Sequence, residues 1–228
     1  MKYGPDISIV ASMIGDPART NMLMALMSGR SLPAAELARE AGVTASTASV
    51  HLAKLEANGL IKGKRDGRFR HFHIADLDVA DAVEALIIVA GRVGHLRTRP
   101  GPRDEAMRRA RTCYDHLAGR LAVDLFAHWI SLRVLRWRHD AVHLTGAGQR
   151  FLGRHGIDVE ALTNMKRPLC RTCMDWSERR SHLGGSLGAA ILAHVVDKRW
   201  AAREPASRVV KFGPVGERKF TSWYRELA

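Results

Sequence analysis

The residues most capable of specific chemistry lie in the second half of the chain. Cys170 and Cys173 form a C-x-x-C pair, and Cys113 is followed three residues later by His116. Two thiolates at the C-x-x-C spacing chelate a soft metal ion or close a disulfide. A third cysteine and a histidine complete a tetrahedral metal site if the fold brings them together. The candidate metal or redox ligands are therefore the three cysteines, with His116 beside them.

Two other interpretations of these residues stay open at this point. Free cysteines are often buried as small hydrophobes, which makes inert thiols the first alternative. The second is an organic effector in a pocket whose candidate lining is Tyr114, Trp129, Trp176 and Trp200, with Asp115, His116 or Arg179 as polar anchors. The remaining histidines, which include His182, show no i, i+4 pair on one helix. We therefore assign them to surface and core.

Length, charge and cysteine usage limit the class of protein. With 228 residues, the chain is long enough for one or two domains, each with its own core. Its formal net charge of +13 attracts polyanions, so nucleic acid is the first partner to test and an anionic membrane surface the second. The chain contains neither a long apolar run nor a signal-peptide pattern, so we expect no membrane partner and a cytoplasmic protein with reduced thiols.

The first ninety or so residues have the local signals of a helix-turn-helix followed by a hairpin. Asp16-Pro17 predicts the start of a helix, and residues 34–41 predict another that ends at Gly42 in the left-handed conformation. Thr44 then caps a helix that runs to about residue 58. Asp66-Gly67 lies between two apolar runs and predicts a hairpin turn. Further helices are predicted over residues 6–14 and 78–90.

The helix capped by Thr44 and the hairpin after it have the residue types of a DNA-reading element. Small polar side chains let a helix lie deep in the major groove, and the candidate DNA contacts on this helix are Thr44, Ser46, Thr47, Ser49, His51 and Lys54. The candidate phosphate contacts on the hairpin are Lys62, Lys64, Arg65, Arg68 and Arg70. Such clustered cations repel one another unless a phosphate backbone lies beside them. The simpler alternative is a capped surface helix and a solvated charged loop.

These motifs resemble the ArsR/SmtB winged-helix regulators over about residues 6–90. The similarity is carried by Leu37-Ala38, Gly42-Val43, Ser46, Ser49, His51-Leu52, Leu55, Gly59-Leu60-Ile61 and Gly67-Arg68. It implies a homodimer, built partly on the first and fifth helices, that binds a palindromic operator in double-stranded DNA and represses until an effector releases it. The metal sites known in that family are not expected in this chain, because residues 36–40 contain no cysteine and the fifth helix contains no histidine.

The second half is longer than the compact members of that family require. Residues 113–119 and 175–180 resemble the C-terminal extension of a larger subgroup. Leu117, Leu121 and Leu125 predict a long helix from about Glu105 into the 120s. Residues 142–150 and 210–218 resemble each other, and each passes from a strand end to a helix start.

Together these patterns predict a mainly α protein with an α+β winged helix. We assign residues 1–91 to a winged helix-turn-helix that binds DNA and dimerises, 92–103 to a linker, and 104–228 to an effector-sensing domain. That domain is predicted to be helical, with short winged-helix-like β elements.

The predicted function is that of a sequence-specific transcription regulator, with a soft metal ion or a small molecule as its effector. One alternative is an architectural protein that coats DNA without sequence preference. Another is a C-x-x-C thiol oxidoreductase, which the lack of βαβ alternation disfavours. No catalytic constellation in the sequence supports an enzyme.

Overall fold

The computed structural model describes residues 4–67, 69–95, 105–175, 177–204 and 207–226. It divides the chain into two compact units, Met1–Leu86 and Ile87–Ala228. We call them the N-terminal and C-terminal units. The division falls within a helix, and most of the predicted linker at 92–103 lies outside the described residues. Among the described helices, none is both long and apolar enough to cross a bilayer.

The N-terminal unit begins with helices whose ends follow the sequence signals. Its elements are α1 (Ile7–Gly15), α2 (Pro17–Leu26), β1 (Leu32–Pro33), α3 (Ala34–Ala41), α4 (Ala45–Ala57), β2 (Ile61–Asp66), β3 (Phe69–Ile74) and α5 (Leu77–Arg92). The Asp16 carboxylate caps α2 by accepting the backbone N–H of Arg19 at 2.9 Å. Gly42 ends α3 with φ 70° and ψ 34°, the predicted left-handed conformation.

The wing of this unit is a three-stranded antiparallel sheet in the order β1-β3-β2. Ile61 pairs with Ile74, and the register continues to Asp66 opposite Phe69. Phe72 and Ile74 are buried, as are Leu52 and Leu55 on α4. The alternation of apolar and polar residues in β3 therefore turns one face of the hairpin inward.

The C-terminal unit is built from β-hairpins that alternate with helices. Its elements are α6 (Glu105–Arg109), β4 (Arg111–Cys113), β5 (His116–Ala118), α7 (Arg120–Ser131), β6 (Leu135–Arg138), β7 (Ala141–Leu144), α8 (Gly146–Arg154), α9 (Val159–Thr163), β8 (Arg171–Asp175), β9 (Arg180–Gly184), α10 (Gly185–Asp197), β10 (Ala201–Arg203), β11 (Val210–Phe212) and α11 (Pro214–Arg225). The described strands of this unit pair as four antiparallel hairpins, β4-β5, β6-β7, β8-β9 and β10-β11. The order hairpin, helix, hairpin, helix therefore occurs twice among the described elements, with the short α9 added after α8 in the first pass.

The prediction of one long helix from Glu105 into the 120s is wrong. Its first part is the short helix α6, and Leu117 lies in β5 rather than on a helix. Gly119 has φ 91°, which interrupts any helix before α7. A Cβ at Gly119 would lie 2.7 Å from the backbone oxygen of Arg108, so the close approach also requires glycine. The four-residue leucine spacing reflects a helix only from Leu121 onward.

The two strand-to-helix passages predicted from their similarity are present. Strand β7 leads into α8, where the Thr145 hydroxyl accepts the backbone N–H of Gly148 at 3.1 Å. Strand β11 leads into α11, which has Pro214 in its first turn. Both helices pack into one apolar core, to which α8 contributes Phe151 and α11 contributes Phe220 and Trp223.

Candidate functional site

The first candidate site is the exposed face of α4. Ala48, Leu52 and Leu55 are buried, so they fix which side of α4 faces the core of the N-terminal unit. The opposite side exposes the four predicted hydroxyl residues, Thr44, Ser46, Thr47 and Ser49. A helix with such a face has the shape and the polar groups needed to enter a major groove.

Three of these hydroxyls form a local network at the start of the helix. The side-chain oxygen of Thr44 lies 3.0 Å from that of Ser46 and 2.9 Å from that of Thr47. Thr44 also caps α4 by accepting the backbone N–H of Thr47 at 3.2 Å. The Ser49 hydroxyl donates to the Ala45 carbonyl at 2.9 Å. These local bonds hold the hydroxyls in place while their remaining capacity faces solvent.

Two further predicted contacts on α4 differ from each other in their surroundings. Lys54 is exposed. His51 is only partly exposed, and its Nδ1 lies 3.4 Å from the Arg19 guanidinium and 3.8 Å from the Asp16 carboxylate. His51 therefore connects α4 to the first turn of α2.

The wing presents its cations in two ways. Lys64 and Arg65 are exposed, and within the described residues neither has an ion-pair partner. The Lys62 ammonium donates to the Ala75 carbonyl at 3.0 Å. Arg68, the fifth predicted contact, lies outside the described residues. Among the described cations of the wing, Lys64 and Arg65 are thus the two whose charge is free to meet a phosphate group.

Arg70 is instead bound to the helix before the wing. Its guanidinium donates to both carboxylate oxygens of Glu56, at 2.7 and 2.8 Å, and lies 5.2 Å from the centre of the Phe72 ring. Glu56 also accepts the backbone N–H of Gly63 at 3.0 Å. Through these bonds, Glu56 and Arg70 tie the wing to α4.

The second candidate site is a group of four side chains in the C-terminal unit, which we call the Cys2His2 cluster: Cys113, His116, Cys173 and His182. One ligand atom from each lies within 4.8 Å of the others. The sulfur atoms of the two cysteines are 3.8 Å apart. The Nε2 atoms of the two histidines are 3.2 Å apart. All but the partly exposed Cys113 are buried.

Two hairpins position this cluster symmetrically. Cys113 and His116 are register partners across β4 and β5, while Cys173 and His182 are register partners across β8 and β9. Each hairpin therefore contributes one sulfur and one imidazole on paired strands. Tyr114 lies in the turn of the first hairpin with φ 56°.

Two members of the cluster have pKa values that depart from the ordinary ones. The pKa of the Cys113 thiol lies well below its ordinary value, first because Cys173 hydrogen-bonds to it and further because of His116. Burial lowers the pKa of His182, which favours the neutral imidazole. Thiolates and neutral imidazoles are the forms that coordinate metal ions.

Cys170 is not part of this cluster. It lies just before β8, and burial raises the pKa of its thiol to about 11. A thiol of that pKa is almost entirely protonated at neutral pH, which makes it a poor nucleophile. The C-x-x-C spacing therefore does not describe the site, in which Cys173 lies opposite Cys113.

Two of the residues predicted to line an aromatic pocket, Trp129 and Trp200, pack against the same side chain of the core, Trp223. Trp129 is fully buried, donates its indole N–H to the Tyr224 carbonyl at 3.1 Å, and packs against Trp223 in the core. Trp200 also packs against Trp223. Trp176 lies outside the described residues, and Tyr114 lies in the β4-β5 turn.

Sequence reasoning missed His182 as a member of the cluster, although a repeat marks it. Arg111-Thr112-Cys113 is followed by Asp115 and by His116-Leu117-Ala118-Gly119. Arg171-Thr172-Cys173 is followed by Asp175 and, after six further residues, by His182-Leu183-Gly184-Gly185. Aligning the two segments places each cysteine and histidine in equivalent positions.

Comparison with known proteins defines the family of the chain. A helix-turn-helix domain model matches residues 14–64. Over 216 residues, the chain is 35% identical to the uncharacterized HTH-type transcriptional regulator YdfF of Bacillus subtilis, and the match covers 95% of this chain and 96% of YdfF. The chain belongs to the family of HTH-type transcriptional regulators. It is a DNA-binding transcription regulator with an N-terminal winged helix-turn-helix and an additional C-terminal region.

Other similarities cover only the first part of the regulator. The HTH-type transcriptional regulator CmtR of Mycobacterium tuberculosis is 36% identical over 76 residues, which are 33% of this chain and 64% of CmtR. The NMR structure of the cadmium metal-sensor CMTR from Mycobacterium tuberculosis covers 36% of this chain at 32% identity, with a TM-score of 0.32. The homodimeric winged helix-turn-helix domain of Mycobacterium bovis Mb0332 covers 43% at 23% identity, with a TM-score of 0.36. Because these scores are low, the family assignment rests on the sequence matches.

Proposed function

We propose that this regulator is a homodimeric cytoplasmic repressor that binds a palindromic operator and is released by an effector bound in its C-terminal unit. The observation that carries the proposal is the exposed hydroxyl face of α4 beside a wing whose Lys64 and Arg65 lack ion-pair partners among the described residues. The hydroxyls supply groups for reading base edges, and the cations supply phosphate contacts. Sequence-specific binding needs both kinds of contact.

Apolar side chains on α1 and α5 support a dimer. Ile7, Ile9 and Val10 are exposed, and α1 buries none of its own residues. On α5, Leu77 and Leu86 are exposed as well. Exposed apolar side chains in such numbers are costly in water and mark an interaction surface. A second copy that covers them would create a two-fold axis and two half-sites about 34–36 Å apart along the DNA.

The test is a selection of random duplex DNA by the purified full-length protein. A specific dimer enriches an inverted repeat, and it binds that repeat about a thousand-fold or more tightly than bulk DNA. A protein that coats DNA without preference enriches no sequence, and its affinity depends on salt alone. Failure to enrich any repeat over a range of salt concentrations would overturn the proposal.

The surroundings of the cysteines disfavour the oxidoreductase alternative. A C-x-x-C redox enzyme needs both thiols of the motif in one reactive site, with a lowered pKa on the attacking one. Here burial raises the pKa of Cys170 to about 11, and the sulfur of Cys173 lies beside that of Cys113.

A further inference from the structure

We propose that the C-terminal unit holds a divalent metal ion of the zinc class, coordinated tetrahedrally by the four side chains of the Cys2His2 cluster. The inference goes beyond the DNA-binding function and does not depend on it. Its ligand set also differs from the C-x-x-C chelate that the sequence spacing indicated, because His182 takes the place of Cys170.

The distances in the cluster match those of a tetrahedral site. Zinc binds thiolate sulfur at about 2.3 Å and imidazole nitrogen at about 2.0–2.1 Å. In a regular tetrahedron these bond lengths place the two sulfurs about 3.8 Å apart and the two nitrogens about 3.3 Å apart. The observed separations are 3.8 Å between the sulfurs of Cys113 and Cys173 and 3.2 Å between the Nε2 atoms of His116 and His182. Both separations are those that one central ion would impose, and the ligand atoms of all four side chains lie within 4.8 Å of one another.

The outer ring nitrogens of both histidines face carboxylates. Metal-bound histidines usually direct the N–H of the other ring nitrogen to such a group, which fixes the ring and its tautomer. Nδ1 of His116 lies 3.4 Å from Asp115, whose carboxylate is held by Arg167. Nδ1 of His182 lies 4.0 Å from Asp175 and, within the described part of the chain, has no hydrogen-bond partner. Asp115 and Asp175 are also equivalent positions of the repeated segment.

The position of the cluster indicates what the ion does. The two cysteines are 60 residues apart in the sequence, and the two histidines are 66 residues apart. An ion bound to all four would cross-link the β4-β5 hairpin to the β8-β9 hairpin, and so join the two repeated halves of the unit. Four protein ligands leave no position for water or substrate, which is the arrangement of structural zinc sites.

A disulfide between Cys113 and Cys173 is the competing explanation. It would use the two sulfur atoms, which lie 3.8 Å apart. It would not account for two buried imidazoles whose Nε2 atoms face each other at 3.2 Å, or for the carboxylates behind them. A metal ion accounts for the sulfurs, the imidazoles and the carboxylates together.

The experiment measures metal binding by the full-length protein, purified in a reductant without chelator. Elemental mass spectrometry should find about one zinc ion per chain. After replacement by Co²⁺, the absorption spectrum should show the d–d bands of tetrahedral cobalt and thiolate-to-cobalt charge transfer of an intensity that fits two thiolates. Cys173→Ser and His182→Asn should each lose most of the bound metal. Cys170→Ser, which alters the other cysteine of the C-x-x-C pair, should keep the full content and spectrum.

Three results would overturn the proposal. The first is a reduced wild-type protein that carries no stoichiometric zinc and gives only the spectrum of octahedral cobalt, a readout that no misfolded variant can affect. The second is a loss of metal in Cys170→Ser as large as in Cys173→Ser. The third is a Cys113–Cys173 disulfide, found by thiol mapping in freshly purified protein, in place of bound metal. Because none of these measurements uses DNA, failure here leaves the proposed operator binding standing, and failure of operator binding leaves the metal site standing.

Discussion

The guanidinium of Arg111 lies 2.8 Å from the carboxylate of Asp175, and both side chains are excluded from solvent. The same carboxylate accepts the backbone N–H of Gly119 at 2.7 Å and a hydrogen bond from the Ser177 hydroxyl, also at 2.7 Å. Burial alone would raise the pKa of Asp175, but the Arg111 guanidinium beside it lowers the pKa to about 2. This ion pair joins the β4-β5 hairpin to the β8-β9 hairpin beside the Cys2His2 cluster.

Asp175→Asn should therefore destabilise the C-terminal unit by about 3–5 kcal/mol, because it removes the charge that balances a buried arginine. The five tryptophans, Trp129, Trp137, Trp176, Trp200 and Trp223, all follow residue 86. Tryptophan fluorescence in increasing denaturant thus reports this unit alone. The matched control is Asp124→Asn, which removes the exposed ion pair between Asp124 and Arg180, whose charged atoms are 3.9 Å apart. Its loss should lower the free energy of unfolding by about 0–1 kcal/mol. Equal losses in the two variants would contradict the structural role of the buried pair.

Removal of the proposed metal ion should lower the thermal midpoint of the same fluorescence transition. A ligand that binds only the folded state stabilises it, so a strong chelator withdraws that stabilisation. Cys170→Ser should respond to the chelator as the wild type does, while Cys173→Ser should start at the lower midpoint and not respond. A wild-type midpoint that the chelator leaves unchanged after the metal has been removed would exclude the cross-linking role.

Ser46→Tyr should abolish recognition of the selected operator and leave the fold intact. Ser46 is exposed on the face of α4 that we expect in the major groove, where a large ring prevents close approach. Affinity for the operator should fall to the level of random DNA, a loss of about a thousand-fold or more. Ala57→Tyr, an exposed change at the other end of α4, serves as the control. A normal footprint from Ser46→Tyr would show that this face does not read the bases.

Lys64→Ala and Arg65→Ala should weaken binding to every duplex. Each variant should also reduce the slope of log affinity against log salt by about one unit per lost phosphate contact. Arg70→Ala should change the slope much less, because the charge of Arg70 is already paired with Glu56 at 2.7 Å. If Arg70→Ala reduced the slope as much as Arg65→Ala, the Glu56–Arg70 pair would have to open on DNA.

Ile7→Glu should convert the proposed dimer into a monomer. The Ile7 side chain is 79% exposed, and a charge there would have to be buried against a second copy. A glutamate in the first turn of α1 is compatible with the helix, because it lies at the positive end of the helix dipole. Sedimentation should give half the wild-type mass, whereas Ala57→Glu should remain dimeric. An unchanged mass for Ile7→Glu would place the dimer interface elsewhere.

Local signals in the sequence determined most of the N-terminal unit. The caps at Asp16 and Thr44, the left-handed Gly42 and the hairpin each depend on contacts within a few residues. Such contacts are visible in residue order. For the same reason, the exposed hydroxyls of α4 and the basic wing followed from the motif.

Only the tertiary structure decided the chemistry of the C-terminal unit. The spacing of Cys170 and Cys173 predicted a chelate, but the fold turned Cys173 toward Cys113, which is 60 residues away. His182 showed no local pairing, and its partner His116 is 66 residues distant. The leucine spacing around Leu117 predicted a helix, but Leu117 lies in a strand because β4 pairs with β5 and Gly119 has a positive φ. Contacts over such distances depend on how hairpins pack, and that packing is set by burial of the whole core rather than by neighbours along the chain.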